Sequence, residues 1–145
     1  MQPPEPTLVH RRALTIEWGD CDPAGIVFYP RYFAMFDAST ATLFQAALGM
    51  PKIAWTRHYG MLGIPMVDTR AKFHIPSAYG DDVVIESRVT AFRRSSFDVA
   101  HRLLKADEAL AVEGFETRVW TVLDAQSGRI RSAPIPPEVI AAFGE

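Results

Sequence analysis

The turns in the second half of the chain are too short to hold helices, and this limits the fold more than any other feature. Alternating or apolar segments are separated there by the turn sequences PSAYGDD, RRSS, KADE and DAQSGR; the segments are residues 65–75, 83–92, 96–105, 110–123 and 129–133. Parallel strands need crossover connections of a dozen or more residues, whereas antiparallel strands can be joined by tight turns. These segments are therefore predicted to form an antiparallel sheet.

The first half of the chain predicts one further strand and one long helix. Residues 14–18, LTIEW, alternate between apolar and polar side chains, the pattern of a half-buried strand. Farther on, mostly apolar residues recur at three- and four-residue steps, as on the buried face of a helix; they are Phe33, Phe36, Thr40, Leu43, Phe44, Ala47 and Leu48. Pro30 suits the first turn of this helix, and Gly49 suits its end. Weaker patterns predict helical turns over residues 53–59 and in the sequence PIPPEVIAAF.

One long helix and about six strands predict an α+β fold in which the sheet wraps around the helix, because both elements then bury their apolar faces. A chain of 145 residues, 48% of them hydrophobic, has room for one core and not for two ordinary domains. We therefore expect a single domain over residues 8–145. Three prolines within residues 1–7 indicate a disordered lead-in.

Charge and composition exclude several classes of partner. The formal net charge is -2, so no overall basic field is available to hold a nucleic acid or an anionic membrane. No apolar run approaches the roughly 20 residues that span a bilayer, and the first residues do not resemble a secretion signal. Cys21 is the single cysteine, so an internal disulfide is ruled out. These features together predict a soluble cytoplasmic protein.

No metal site is predicted from the sequence. The spacing of His10, His58, His74 and His101 matches no metal-binding motif such as HxxxH, and Cys21 has no cysteine or histidine close by. A GxSxG motif, which would indicate a serine hydrolase, is also absent from the sequence.

The loop between the first strand and the long helix is the best candidate for a catalytic site. Asp20 and Asp22 lie there, two residues apart, among glycines and a proline. Aspartates in such loops commonly form turns or cap helices. A carboxylate facing a helix N-terminus, however, has beside it unpaired N–H groups that can polarise a carbonyl oxygen. A carboxylate and such N–H groups are the minimum that acyl transfer requires.

The stretch from Glu17 to Tyr32, EWGDCDPAGIVFYPRY, resembles the signature of the 4-hydroxybenzoyl-CoA thioesterase family. Weaker similarity continues through the helix and through the segments GMLGIPMVDTRAKF, SAYGDDVVIE and FRRSSF. The resemblance implies a hotdog fold, in which the sheet wraps around the long central helix. It also implies active sites at a dimer interface, with dimers often paired into tetramers, so a homo-oligomer is expected.

The resemblance implies hydrolysis of an acyl-CoA and assigns the catalytic groups. Asp22 matches the aspartate that attacks the thioester carbonyl or activates water. Tyr29 matches the position whose backbone N–H polarises that carbonyl. Asp20 matches an accompanying acidic position with a structural role, and the alternative that Asp20 is the active group stays open. No cofactor is expected, because coenzyme A is part of the substrate.

The turn at residues 93–95 is expected to bind coenzyme A. Arg93 and Arg94 match basic residues that hold its phosphates, and guanidinium groups suit phosphate oxygens. The alternative is a solvated hairpin corner. Ser95 stands where the family has a third basic residue, so the affinity for the nucleotide is expected to be weaker or differently shared.

Three residues are expected at the acyl group. Asp37 matches a helix position near the distal end of the acyl pocket, and an exposed mid-helix carboxylate is the alternative. Ile64 stands where the hydroxybenzoyl enzymes have a small hydroxyl-bearing residue, and Trp55 roughly matches a pocket tryptophan. An aromatic acyl group resembling 4-hydroxybenzoyl is the first expectation, and a short aliphatic group is the second.

Two other functions remain open at this stage. A hydratase or dehydratase of the same fold usually needs a histidine beside its acid, but Val27 stands five residues after Asp22. A non-catalytic acyl-CoA binding module is a further alternative, although it would have little use for the Asp22 motif.

Overall fold

The computed structural model describes residues 5–144 of the chain. Its elements in order are β1 (His10–Thr15), α1 (Pro30–Leu48), α2 (Lys52–His58), β2 (Met66–Phe73), β3 (Asp82–Phe92), β4 (Ser96–Lys105), β5 (Leu110–Val119), β6 (Thr121–Leu123), β7 (Ile130–Ser132) and α3 (Pro137–Ala141). The predicted lead-in over residues 1–7 falls largely outside the described part. At its end, the Thr7 amide donates to the Phe143 carbonyl at 2.7 Å.

Five strands form one antiparallel sheet in the order β1-β3-β4-β5-β2, and β6 pairs with β7 in a separate two-stranded sheet. One row across the main sheet runs from Ser87 to His101, Gly114 and Ala71. Consecutive strands β3, β4 and β5 are neighbours joined by short turns, as the sequence predicts. The α+β fold with a helix against an antiparallel sheet is thus confirmed.

Helix α1 has the predicted bounds and lies across this sheet. Pro30 is its first residue, and Gly49 ends it in the left-handed conformation, with φ 71°, while its amide donates to the Gln45 carbonyl at 2.9 Å. The buried face is made of Tyr32, Met35, Phe36, Ser39, Thr40, Leu43 and Phe44. The helix therefore contributes both apolar and hydroxyl side chains to the interior.

The Phe36 ring fixes how closely α1 approaches the sheet. It stacks on the His101 ring with centroids 4.9 Å apart. A Cβ atom at Gly114, which pairs with His101 in the next strand, would lie 2.5 Å from the Phe36 side chain. Glycine is thus required at position 114 by close approach of the ring.

The second half of α1 packs into an aromatic cluster. Phe44 lies 5.5 Å from Trp55, 5.2 Å from Phe97 and 4.9 Å from Phe143, measured between ring centroids. These residues come from α2, β4 and the end of the chain, so the cluster joins the C-terminal segment to the core. Burial of such large rings is a major source of stability.

The first strand differs from its prediction. Residues 10–15 form β1, whereas residues 14–18 were expected. After Thr15 the chain leaves the sheet in a 3-10 turn over Trp18–Asp20, and Trp18 is 71% exposed. The alternation LTIEW misleads because Ile16 is buried in the core beside residues such as Val27 and Phe36, while its backbone bonds the loop at Gly80 and Asp81 and not a strand.

The segment 110–123 also differs, because it forms two strands instead of one. The break lies at Trp120, whose amide donates to the Ser95 carbonyl at 2.7 Å outside the main sheet. The described chain therefore has seven strands, five of them in the main sheet, where about six were expected. Among residues 5–144, no helix is long and apolar enough to cross a membrane.

Candidate active site

The loop that carries Asp22 folds back on itself as a tight hairpin. The Asp22 amide donates to the Ile26 carbonyl at 2.9 Å, and the Asp22 carbonyl accepts from the Gly25 amide at 2.9 Å. Gly25 has φ 83°, a conformation that favours glycine. The Val27 amide donates to the Ser77 carbonyl at 2.9 Å, which anchors the hairpin to the segment before β3.

The Asp22 carboxylate is half-buried, and one of its oxygens is occupied. Oδ1 accepts the Ala24 amide at 2.9 Å, which is the turn-forming contact that the sequence allowed. For Oδ2, no donor is found among the residues that the structure describes. The turn thus orients the carboxylate and leaves one oxygen available for chemistry.

Asp20 makes structural contacts instead. Its Oδ2 accepts the Glu17 amide at 2.9 Å, as part of a capping arrangement around the 3-10 turn. Its carbonyl accepts the Phe28 amide at 2.8 Å, so the two ends of the loop are tied together. This hydrogen bond holds the Asp22 hairpin next to the start of α1.

Within the described part of the chain, the start of α1 presents one unpaired amide. Tyr29 occupies the N-cap with helical angles, φ -52° and ψ -34°, and Pro30 has no N–H. The Arg31 amide donates to the Phe28 carbonyl at 2.8 Å and the Tyr32 amide to Tyr29 at 3.1 Å. Within residues 5–144 the Tyr29 amide has no acceptor, so it can bind an oxygen at the positive end of a 19-residue helix.

The Tyr29 side chain belongs to an exposed aromatic group. Its ring is 60% exposed and lies edge-on to Phe28 at 5.6 Å and to Phe73 at 6.5 Å, centroid to centroid. Phe73 ends the edge strand β2. The Asp22 hairpin, the helix start and the free edge of the sheet therefore meet in one region.

A cavity of about 370 Å³ lies farther along α1 and is lined by Asp37, Ile64, Pro65, Met66 and Arg118, among others. It brings together two of the residues expected at the acyl group, Asp37 and Ile64. Trp55 is placed elsewhere: its side chain is 0% exposed, inside the aromatic cluster. The substrate role of Trp55 stays a prediction that this placement does not support directly.

Sequence reasoning missed a buried charged network beside this cavity. Arg118 is 5% exposed and donates to Asp37 Oδ1 at 2.7 Å and to Glu116 Oε1 at 2.8 Å. Burial acts to raise the pKa of Glu116, but hydrogen bonds and charges of His101 and Arg118 outweigh it and lower that pKa to about 2. The sequence feature that indicates this network is the alternation of side-chain direction along β5, which places Glu116 and Arg118 on the same face as the buried Gly114.

The two predicted phosphate-binding arginines differ in their surroundings. Arg93 donates to both carboxylate oxygens of Asp98, at 3.0 and 2.7 Å, and to Ser96 Oγ at 2.8 Å. The hydrogen bond from Arg93 lowers the pKa of Asp98. The Arg94 side chain is exposed and has no hydrogen-bond partner within residues 5–144. Ser95 lies beside it, and its carbonyl accepts the Trp120 amide.

The chain is similar to known proteins along nearly its whole length. A family model described as the thioesterase-like superfamily matches residues 16–143. The 4-hydroxybenzoyl-CoA thioesterase of Pseudomonas sp. (strain CBS-3) is 34% identical over 130 residues, which cover 86% of this chain and 90% of that protein.

Two solved structures extend the similarity to the fold. A mutant 4-hydroxybenzoyl CoA thioesterase complexed with 4-hydroxybenzoyl CoA superposes with a TM-score of 0.84 at 30% identity, covering 93% of this chain and 98% of that one. A gentisyl-coenzyme A thioesterase gives a TM-score of 0.76 at 28% identity, covering 90% and 98%. The hotdog fold is therefore shared along nearly the whole chain.

Proposed function

The chain belongs to the thioesterase-like superfamily, and from that membership we propose that it hydrolyses an aromatic acyl-CoA to the free acid and coenzyme A. One observation supports the mechanism: within residues 5–144, Asp22 Oδ2 has no donor and the Tyr29 amide has no acceptor, and the loop that carries Asp22 leads directly into the start of α1. The similar proteins named above act on 4-hydroxybenzoyl CoA and gentisyl-coenzyme A, both aromatic thioesters.

The proposed reaction begins with the thioester carbonyl at the amino end of α1. Its oxygen accepts the Tyr29 N–H, and the helix dipole stabilises the negative charge that develops there. Asp22 either attacks the carbonyl carbon, forming an anhydride that water then hydrolyses, or removes a proton from the attacking water. In both routes the carbon–sulfur bond breaks and the thiolate leaves. A free thiol has a pKa near 8.5, so the leaving group needs no strong acid.

The cavity near Asp37 is proposed to hold the acyl group. Asp37 Oδ1 is bound by Arg118, whereas Oδ2 has no donor within the described residues and can accept a ring hydroxyl. Ile64, Pro65 and Met66 add apolar surface to the same cavity. This combination favours a hydroxylated aromatic group over a short aliphatic one, because only the former can donate a hydrogen bond to Asp37 Oδ2.

We propose that Arg94 is the main ligand of the coenzyme A phosphates. It is exposed and has no partner within the described part of the chain, whereas Arg93 is already paired with Asp98. Arg93 keeps unused N–H groups on a fixed guanidinium and can add a second contact. Ser95 offers a hydroxyl without a charge, so the nucleotide is held by fewer cations than the family pattern implies.

We also propose that two copies of the chain pair along β2. This strand is an edge of the main sheet and exposes Val67 and Phe73, and the exposed rings of Phe28 and Tyr29 continue the same apolar surface. An unpaired edge with exposed apolar residues is suited to strand pairing. Pairing of such dimers into a tetramer extends this proposal, as the family resemblance implies.

We further propose that the protein acts by hydrolysis, without a cofactor or metal, in the cytoplasm. No cofactor or metal is required, because the carboxylate and the helix amide suffice for hydrolysis of a thioester. A cytoplasmic location suits a chain with one half-buried cysteine. Val27 is buried at the position where a hydratase would need a histidine, so hydrolysis is favoured over hydration.

The oligomeric state can be measured by sedimentation velocity. A chain of 16.2 kDa is expected to sediment as a dimer or a tetramer. Substitution of Val67 by lysine places a charge at the proposed contact and should increase the monomer fraction. A wild-type protein that stays monomeric at all concentrations would contradict the proposed pairing.

Replacement of Asp22 by asparagine tests the catalytic proposal. The new side chain keeps an oxygen for the Ala24 amide, so the turn should persist, while the nucleophile or base is lost. We expect the rate of thiol release from 4-hydroxybenzoyl-CoA to fall by about a hundredfold or more. A thiol-reactive dye measures the rate, and circular dichroism checks folding.

Asp20→Asn is the matched control for this variant. Asp20 caps the 3-10 turn, so its substitution should reduce turnover by less than about tenfold. A folded Asp22→Asn protein with wild-type turnover would contradict the assignment, and a larger loss in Asp20→Asn would transfer the role to Asp20. Tight binding of acyl-CoA by the wild type without thiol release, across aromatic and aliphatic esters, would favour a binding module.

Removal of the Arg94 side chain tests the phosphate contact. Arg94→Ala is expected to raise KM for an acyl-CoA by about fivefold, the effect of one exposed charged contact, with kcat nearly unchanged. The same acyl group on pantetheine, which lacks the nucleotide phosphates, should show no change in KM. Arg93→Ala is the comparison and should have the smaller effect on KM. Equal KM changes for both thioesters would exclude phosphate binding by Arg94.

A further inference from the structure

Arg118 joins three parts of the chain through one guanidinium group. Its Nη2 donates to Asp37 Oδ1 on α1 at 2.7 Å, its Nη1 to the Ile64 carbonyl at 3.0 Å, and its Nε to Glu116 Oε1 at 2.8 Å. The side chain is 5% exposed. Because a guanidinium is planar and rigid, fixing one of these contacts restricts the other two.

Two of the three acceptors belong to residues that line the proposed acyl cavity. Asp37 is 58% exposed as a side chain and would otherwise sample several rotamers. The bond to Arg118 selects the orientation in which Oδ2 stays unbound. The bond from Arg118 to the Ile64 carbonyl fixes the Ile64 part of the cavity lining relative to Asp37 on α1. The geometry of the cavity therefore depends on where the Arg118 guanidinium lies.

Glu116 determines that position from inside the core. It is buried and is not among the described residues that line the cavity. Its Oε1 accepts the Thr40 hydroxyl at 2.6 Å, and its Oε2 lies 3.3 Å from His101 Nε2. The carboxylate is thus held by groups from α1, β4 and its own strand.

The hydrogen atoms in this network can be assigned from its geometry. The Thr40 hydroxyl gives its one proton to Glu116, so His101 Nε2 must be the donor in its 3.1 Å contact with Thr40 Oγ1. The other ring nitrogen, Nδ1, lies 2.7 Å from Ser87 Oγ, which fixes the ring plane. Phe36 stacks on the same ring at 4.9 Å. Glu116 is therefore a rigid support for Arg118.

We propose that Glu116 is a positioning residue for the acyl end of the substrate, acting through Arg118 on Asp37 and touching no substrate atom itself. The inference rests on the proposed function and adds a residue that controls its specificity. Asp37 Oδ2 accepts a strong hydrogen bond from a ring hydroxyl only when it is aligned with that hydroxyl, because hydrogen bonds weaken steeply with misalignment. A thioester without that hydroxyl does not use this contact and is indifferent to the alignment.

The test compares 4-hydroxybenzoyl-CoA with benzoyl-CoA in the full-length wild type and in Glu116→Gln. The glutamine keeps the shape and one acceptor but removes the charge that holds Arg118. We expect the ratio of kcat/KM values, hydroxylated over plain ester, to fall about fivefold to tenfold, mainly through a higher KM for the hydroxylated ester. The kcat/KM for benzoyl-CoA should change by less than about threefold, since Asp22 and the start of α1 are untouched.

Ser39→Ala is the matched control. Ser39 is also a buried polar residue of α1, and it bonds the Met35 carbonyl at 2.8 Å and Arg12 at 3.0 Å, away from Arg118. This variant loosens the contact of α1 with β1 and should leave the substrate ratio unchanged. If Glu116→Gln does not fold, Thr40→Val removes one support of Glu116 and should lower the ratio about threefold.

The outcomes separate this inference from the proposed function. Absence of wild-type turnover with both esters overturns the proposed function, and this inference with it. Wild-type turnover without preference for the hydroxylated ester overturns the inference alone. So does an unchanged ratio in a folded Glu116→Gln protein, or in a folded Thr40→Val protein where the first variant does not fold. If the ratio of kcat/KM values fell equally in Ser39→Ala, the fall in Glu116→Gln would reflect a general loosening of α1. That result would also overturn the inference.

Discussion

The burial of one face of α1 against the sheet fixes the point at which the helix begins, and the functional region is arranged around that point. The Phe36 ring stacks on His101 and lies close to Gly114, so it packs the helix against the sheet. Arg12 of β1 donates to the Met35 carbonyl and to Ser39. These contacts act on the second and third turns of the helix. Its first residues are therefore held in place while the Tyr29 amide stays available.

The proposed chemistry uses the backbone as much as side chains. A tight hairpin orients Asp22, a hydrogen bond between Asp20 and Phe28 closes the loop, and the start of the helix supplies the amide that we propose polarises the substrate oxygen. Such groups need no reorganisation when charge develops, which is the main advantage of a preorganised site. The acyl cavity follows the same principle, because Arg118 is fixed by the core before any substrate binds.

The sequence predicts most of the fold, because the long helix and the hairpins are encoded locally. Pro30, Gly49 and the apolar spacing set α1, and short turns force antiparallel pairing. The first strand could not be placed correctly, since Ile16 is buried by core side chains distant in sequence, such as Val83, and its backbone bonds a loop. The Asp22 motif is contiguous and could be found by resemblance. The Asp37–Arg118 pair joins residues 81 positions apart, so it could not be found from local sequence. Glu116, which also binds Arg118, is a charged residue, and local sequence patterns predict that such a residue is exposed to solvent.

The proposed hydrolysis depends on polarisation of the thioester carbonyl by the amide at the start of α1. Infrared difference spectroscopy with a ¹³C-labelled carbonyl can measure this directly in 4-hydroxybenzoyl-CoA bound to the Asp22→Asn variant, which should hold the ester intact. We expect the carbonyl stretching frequency to shift to lower wavenumber than in water, because the Tyr29 N–H and the helix dipole withdraw electron density from the bond. A carbonyl frequency equal to that of the free ester in water would mean that the Tyr29 amide does not polarise the bond.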